Sequence, residues 1–194
     1  MKIQRITYLS LGSNQGEKLE NLQKAIHLIA SEVGAIQKIA AIYKTPSWGF
    51  EGDEFLNTCI KVSTYQAPEK LLQTLLAIEK KLGRTRKGQN EYQNRPIDID
   101  VLLFDDEIIF SRTLTVPHPK MLLRKFVLVP LNEIASTFIH PITKKKIAIC
   151  LQNCEDTLGI EMIPEKLIRP IPLSEKYTKR SAVSLKKTTL EPWI

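Results

Sequence analysis

Asn94-Arg95-Pro96-Ile97-Asp98-Ile99-Asp100-Val101-Leu102-Leu103-Phe104 sets two carboxylates two residues apart in an apolar run rich in branched side chains. In a strand, residues i and i+2 share a face. Asp98 and Asp100 then stand side by side, while Ile97, Ile99, Val101 and Leu103 fill the opposite face. Two like charges at that spacing repel, and burying them unpaired is costly. A cation resolves the conflict. A divalent metal carrying a nucleotide's phosphates is the favoured reading, and the solvated face of an edge strand is the plain alternative.

Upstream, residues 3–11 read as a strand and Gly12 to Gly16 as a turn, with Asn14 and Glu17 at capping-box spacing. Leu19, Leu22, Ile26, Ile29 and Val33 form a helical stripe that Gly34 ends; His27 lies off it and is expected to be exposed. Residues 35–45 read as one strand, 46–53 as a breaker-rich loop and 55–64 as a third strand. Pro68 opens a second helix with the stripe Leu71, Leu75, Ile78 and Leu82, stopped by Gly83. Residues 84–94 form a polar, basic loop before the paired-aspartate strand. The order β-α-β-β-α-β is ferredoxin-like, an α/β (α+β) fold. It implies an antiparallel sheet with helices on one face, C-terminal additions, and the other face available for a site. A short strand at 108–110 and a short helix at 126–135, interrupted at Pro130, follow.

The 194 residues suit one domain, read as 1–160, with a basic extension over 161–194 that is expected to be partly ordered. That extension carries four prolines, and residues 165–194 hold seven basic and three acidic side chains. A net charge of +7 leaves a modestly basic body, which suits an anionic small molecule and does not demand nucleic acid. No apolar run approaches the roughly 18 residues of a membrane span, and no signal-peptide pattern opens the chain. Cys59, Cys150 and Cys154 match no zinc spacing. These features place the chain in the cytoplasm, without membrane or nucleic-acid partners.

Three further groups bear chemistry. Glu79 precedes Gly83-Arg84-Thr85-Arg86-Lys87, a cationic loop suited to a polyphosphate, or else a solvated basic loop. Thr45-Pro46-Ser47-Trp48-Gly49 and Phe55-Leu56-Asn57 pair aromatics with an amide, a means of holding a flat heterocycle, or else ordinary packing. Val116-Pro117-His118-Pro119 fixes a histidine between prolines, near Arg124 with its planar fork; a lone histidine is otherwise structural. There is no Walker loop, no G-x-G-x-x-G, no zincin motif and no G-x-S-x-G.

Together these segments resemble the 6-hydroxymethyl-7,8-dihydropterin pyrophosphokinase family. Carrying the resemblance are Leu11-Gly12-Ser13-Asn14, Tyr43-Lys44-Thr45-Pro46, Phe55-Leu56-Asn57, Ile78-Glu79 with Gly83-Arg84-Thr85-Arg86, Arg95-x-x-Asp98-x-Asp100, Val116-Pro117-His118-Pro119 and Arg124-x-Phe126. Their order along the chain makes the match specific. The resemblance implies a folate-pathway transferase moving the pyrophosphoryl group of ATP to the pterin's hydroxymethyl oxygen, with release of AMP. It implies that Asp98 and Asp100 hold two Mg²⁺ ions and that Arg84 and Arg86 act in catalysis. Glu79, Arg84, Arg86, Arg95, Val101, Thr115, His118 and Arg124 fall on the ATP side. Thr45, Pro46, Trp48, Phe55, Asn57, Asp98 and Phe126 fall on the pterin side, with Phe55 and Phe126 sandwiching the ring. ATP is the co-substrate and a monomer is expected. Phe55 replaces a frequent tyrosine, Thr113 and Pro119 depart from the pattern, and Tyr92 stands near a tryptophan of some relatives.

Two other readings compete. A metal-dependent nucleotidyltransferase wants its Gly-Ser turn beside the aspartate strand and a third carboxylate. Here the turn lies far upstream. A ferredoxin-like RNA-binding module wants stacking aromatics on two central strands, and neither they nor an RNP-like motif is present.

Overall fold

A computed structural model describes residues 3–49, 51–85 and 93–170. Arg86 and Tyr92 lie outside the described residues, as does the tail from 171 onward. The elements run β1 (Arg5–Ser13), α1 (Lys18–Glu32), β2 (Gly34–Ile39), β3 (Tyr43–Thr45), β4 (Phe55–Thr64), α2 (Pro68–Lys81) and β5 (Asp98–Phe104). They continue through β6 (Ile109–Phe110), β7 (Thr115–Val116), α3 (Lys125–Ala135), α4 (Ile147–Gln152) and β8 (Glu161–Met162). The main sheet has the order β5-β1-β4-β3-β8, with β2 also on β4, and its pairings are antiparallel. The ferredoxin-like α+β order expected from the sequence is therefore the observed core.

The helical stripes form where the periodicity places them. Leu22, Ile26 and Ile29 of α1 and Leu71, Leu75 and Ile78 of α2 pack on Leu9, Leu11, Ile60, Val62, Ile99 and Val101 of the sheet. His27 is exposed, as its off-stripe position requires. The second face is covered in part: α3 and α4 seal Tyr8, Cys59, Leu102 and Leu103 beneath Val127, Leu128, Leu131 and Ile147. A cleft remains where β5 begins.

Four local expectations change. The second strand is two strands, because the chain breaks pairing between Ile39 and Tyr43. Glu133 of α3 holds the break by accepting from the Ala41 N–H at 2.9 Å and from the Tyr43 hydroxyl. Asn14 is no helix cap: Glu17 is the N-cap residue and makes no side-chain cap bond. The Asn14 amide is used elsewhere, as described below. Pro130 sits within an unbroken α3, whose apolar side is buried along its length; packing outweighs one lost backbone bond. Finally, Leu103 does not share the face of Val101. Tyr8 pairs with Leu103 and Leu9 with Val101, which leaves Leu102 as a bulge. The extra residue shifts the alternation, so Leu103 joins the α3 core while Phe104 turns to the α1–α2 core.

The sheet also runs past residue 160. Glu161 and Met162 pair with Lys44 and Tyr43, and the Ile163 N–H donates to the Ile42 carbonyl at 3.0 Å. Gln23 of α1 then exchanges two bonds with the Ile168 backbone, at 2.7 and 3.0 Å. Ile163 and Leu167 pack against the main core.

Candidate active site

Asp98 and Asp100 open β5 opposite Gly12 and Ser10 of β1, on the face turned away from α1 and α2. Gly12 is there for space: a Cβ would stand 2.8 Å from Asn57 Oδ1 and 3.4 Å from the Phe55 ring. The two carboxylates have different company. Asp98 is paired by Arg84 Nη1 and by Arg95 Nη2, the latter at 2.6 Å. The same Arg84 nitrogen pairs with Glu79. Glu79 is 2% exposed and also accepts the Ile99 N–H at 2.8 Å, which anchors β5 to the end of α2. Gly83, at φ +90, turns the chain so that the Arg84 N–H reaches the Glu79 carbonyl at 3.0 Å and its side chain returns toward the aspartates.

Asp100 has no arginine within ion-pair distance among the described residues; its nearest cationic candidate is His118 Nε2, at 3.9 Å. Burial, reinforced by the Asp98 charge, pushes its carboxyl from 3.8 up to about 7, against the opposing pull of Arg124 and Arg84. Burial and Arg124 push His118 down to about 4. The imidazole is thus neutral near pH 7. Its Nδ1 accepts the Lys120 N–H at 3.2 Å, which puts the proton on Nε2, facing Asp100. The Leu102 bulge contributes here, since its carbonyl accepts the His118 N–H at 2.9 Å.

Beside the aspartates an open cleft is lined by Thr45, Pro46, Trp48, Phe55, Asn57, Asp98 and Phe126 together with Arg95 and Arg124. The seven residues assigned to the pterin side are thus brought together in one pocket. Asn57 donates to the Thr45 hydroxyl at 2.8 Å, and both are buried. Arginines cover the aromatic faces. Arg124 lies 4.6 Å from the Trp48 ring centre and 5.6 Å from that of Phe126; Arg95 lies 5.1 Å from Phe55. The Arg124 Nε is buried and has no hydrogen-bond partner among the described residues.

Of the ATP-side residues, Glu79, Arg84, Arg95, His118 and Arg124 surround the aspartates. Val101 and Thr115 do not line the cavity: Val101 is 4% exposed within the α1–α2 core, and Thr115 is half-buried in β7. Thr113 and Pro119 are exposed. Sequence reasoning missed Ser10 and Gly12 as pocket walls. The signal was available, since both alternate with buried Leu9 and Leu11 and therefore face the site. No third His, Cys, Asp or Glu joins the pair in a metal-holding cluster among the described residues.

The family model of 7,8-dihydro-6-hydroxymethylpterin-pyrophosphokinase matches residues 8–136. The chain belongs to this pyrophosphokinase family. It is 42% identical over 139 residues to the 2-amino-4-hydroxy-6-hydroxymethyldihydropteridine pyrophosphokinase of Aquifex aeolicus, covering 71% of this chain and 85% of that one. It is 40% identical to the enzyme of the same name from Bacillus subtilis, covering 66% of this chain and 77% of that one. Among solved structures, wild-type HPPK-DHPS of Plasmodium falciparum aligns with a TM-score of 0.67 at 16% identity, covering 78% of this chain. That likeness shows the fold. The present chain spans 44% of the length of that protein. The expected enzyme class, pyrophosphate transfer in folate biosynthesis with ATP as co-substrate, is that of the family.

The pyrophosphokinase's donor set also fits magnesium. Two carboxylates supply hard oxygen ligands, and the Asp100 side chain keeps 37% of its exposure. A site with two protein carboxylates suits Mg²⁺, which retains water and substrate phosphates, better than a metal that needs a closed protein cage.

Proposed function

We propose that this pyrophosphokinase binds 6-hydroxymethyl-7,8-dihydropterin in the aromatic cavity and ATP along the arginines beside it. The pterin's hydroxymethyl oxygen attacks the β-phosphorus of ATP, the bond from that phosphorus to the α,β-bridging oxygen breaks, and AMP leaves. The single observation that carries this reading is the Asp98–Asp100 pair at the junction of an aromatic pocket and a cluster of guanidinium groups.

Each side chain has a task in this scheme. Thr45 and Asn57 read the pterin's hydrogen-bonding edge, and Trp48, Phe55 and Phe126 stack on its faces. Arg95 and Arg124 exchange their aromatic contacts for phosphate oxygens, which their planar forks match. Arg84, held between Glu79 and Asp98, supplies charge at the transferred group, with Arg86 as its neighbour in sequence. His118 donates from Nε2 beside Asp100 and Thr115 stands toward the nucleotide end, while Val101, buried in the α1–α2 core, only supports β5 from behind. Asp98 and Asp100 would hold the Mg²⁺, two ions in this scheme, which would supply charge neutralisation for phosphoryl transfer. The protein works as a cytoplasmic monomer on small molecules, with neither membrane nor nucleic acid. Its catalytic domain takes in β8 and the segment through Ile168 that bonds Gln23 of α1.

The test is incubation with ATP, Mg²⁺ and the pterin. AMP and pterin diphosphate are expected in equal amounts, and ADP as product overturns the assignment. Neither a nucleotidyltransferase nor an RNA-binding role is favoured by the family to which the chain belongs.

A further inference from the structure

Helix α3, which carries one wall of the cleft, cannot finish its own N-terminus. It starts at Lys125, and the residue at its N-cap position is Arg124, which makes no side-chain cap bond. Helix starts favour a short oxygen-bearing side chain at that position and a carboxylate in the first turn. The first turn of α3 holds no acidic residue. The Arg124 side chain is committed to the cleft, over Trp48 and Phe126. Arg124 and Lys125 thus place two cations at a helix end whose N–H groups already form the positive pole of its dipole.

The missing oxygen comes from elsewhere in the chain. Asp156 Oδ2 accepts the Lys125 N–H at 2.9 Å, and Asp156 Oδ1 accepts the Leu158 N–H at 3.0 Å, which fixes the orientation of the carboxylate. Asp156 follows α4, whose Ile147 and Cys150 share a buried core with Val127, Leu128 and Leu131 of α3. It lies beyond residues 8–136 matched by the family model. It borders a separate cleft with Leu122, Leu123 and Cys150 and does not line the active-site cleft. Lys125, which it holds, is flanked by Arg124 and Phe126, and both of those line the active-site cleft. The Arg124 Nε has no hydrogen-bond partner among the described residues, so backbone placement and stacking set where this guanidinium lies.

We propose that Asp156 is a positioning residue, a carboxylate outside the active site that caps α3 and thereby aims Arg124 at the nucleotide and Phe126 at the heterocycle. It touches neither substrate, and its role rests on the assignment of Arg124 to the nucleotide.

The test uses the full chain carrying Trp193→Phe, which leaves Trp48 as the one tryptophan. Two quantities are read. One is acrylamide quenching of Trp48 emission. The other is the dissociation constant, without pterin, of the Mg²⁺ complex of an ATP analogue with a methylene bridge between the α and β phosphorus. Arg124→Ala uncovers Trp48 and sets the upper limit of quenching. Asp156→Ala is expected to carry quenching most of the way to that limit. It is also expected to weaken nucleotide binding about tenfold, the low end of what a hydrogen bond to a charged group contributes. On the Arg124→Ala background, Asp156→Ala should change nucleotide binding by less than about twofold, because it acts through Arg124. Asp156→Asn keeps one acceptor for the Lys125 N–H and gives intermediate values of both readings. Ile147→Val loosens packing beneath α3 and lowers the melting temperature without moving either reading. If Asp156→Ala does not fold, Asp156→Asn carries the comparison with wild type and with Ile147→Val. Unchanged quenching and binding in the folded Asp156 variants, additive losses in the double variant, or equal shifts in Ile147→Val overturn the proposal. Unchanged nucleotide binding in Arg124→Ala overturns the assignment of Arg124 to the nucleotide instead, and the quenching then still decides the cap.

Discussion

Replacing Asp100 by asparagine should make the metal-free enzyme more stable at neutral and alkaline pH. The carboxyl's proton affinity is raised in the native state, from 3.8 to about 7, and burial is the largest cause. A group with a raised native value binds its proton more tightly folded than unfolded. Its ionisation therefore costs native stability as pH rises from about 4 to about 7; the penalty is complete above that window and absent below it. At about 1.4 kcal/mol per tenfold change in affinity, the whole interval amounts to about 4 kcal/mol. The Asp100 side chain retains 37% exposure toward the cavity, so water there screens the charge. About 1–2 kcal/mol is the expected remainder after that screening. Asparagine keeps the shape and removes the charge. Urea unfolding in a chelating buffer should show Asp100→Asn ahead by that margin at about pH 8, with the gap closing toward about pH 4. Magnesium with a nucleotide should reverse the ranking, because ligands stabilise only the protein that binds them. An asparagine variant equal to or weaker than wild type at alkaline pH, or a gap that ignores pH, would refute the reasoning.

Arg84→Ala should slow turnover by at least about 10³-fold, the scale of a charge-stabilising arginine in phosphoryl transfer, and lower stability by removing the ion pairs to Glu79 and Asp98; Arg84→Lys should recover stability in urea but not rate, and an effect confined to pterin KM would contradict the role. Gly12→Ala should raise pterin KM severalfold with little change in nucleotide KM, since the added methyl meets Asn57 Oδ1 at 2.8 Å; equal effects on both substrates in steady-state kinetics would argue against it. Ending the chain after residue 160, compared with ending it after 170, should cost about 2–4 kcal/mol in urea unfolding, from the lost burial of Ile163 and Leu167; indistinguishable curves would show that the segment is dispensable.

The core elements were legible because periodicity is a local property. The stripe from Leu22 to Ile29 and the alternation of Leu9 and Leu11 each declare one buried face, and the order of elements then leaves few topologies. The Asp98–Asp100 pair was legible as a site for the same reason: alternation put both carboxylates on the face their neighbours avoid. Features that depend on partners distant in sequence were not legible. The Leu102 bulge arises from pairing with β1, and no residue type within β5 announces it. Asn14 has the spacing of a helix cap, but its amide finds Asn94 and Arg95 across the fold, which local sequence does not show. The stacking of Arg124 on Trp48 joins residues 76 positions apart.

Two outer strands of this sheet, β5 and β3, are shielded, and on β5 the shielding groups also serve the proposed site. On β5, the Glu79 carboxylate occupies the Ile99 N–H and the His118 N–H occupies the Leu102 carbonyl. On the far side, the two-residue β8 covers β3 and leaves an edge of its own too short to template another strand. Glu79 and the His118 turn are therefore guardians of solubility as well as of chemistry. Substitutions there invite edge-to-edge assembly of neighbouring molecules, so a low yield of soluble protein and a low turnover number would share one origin.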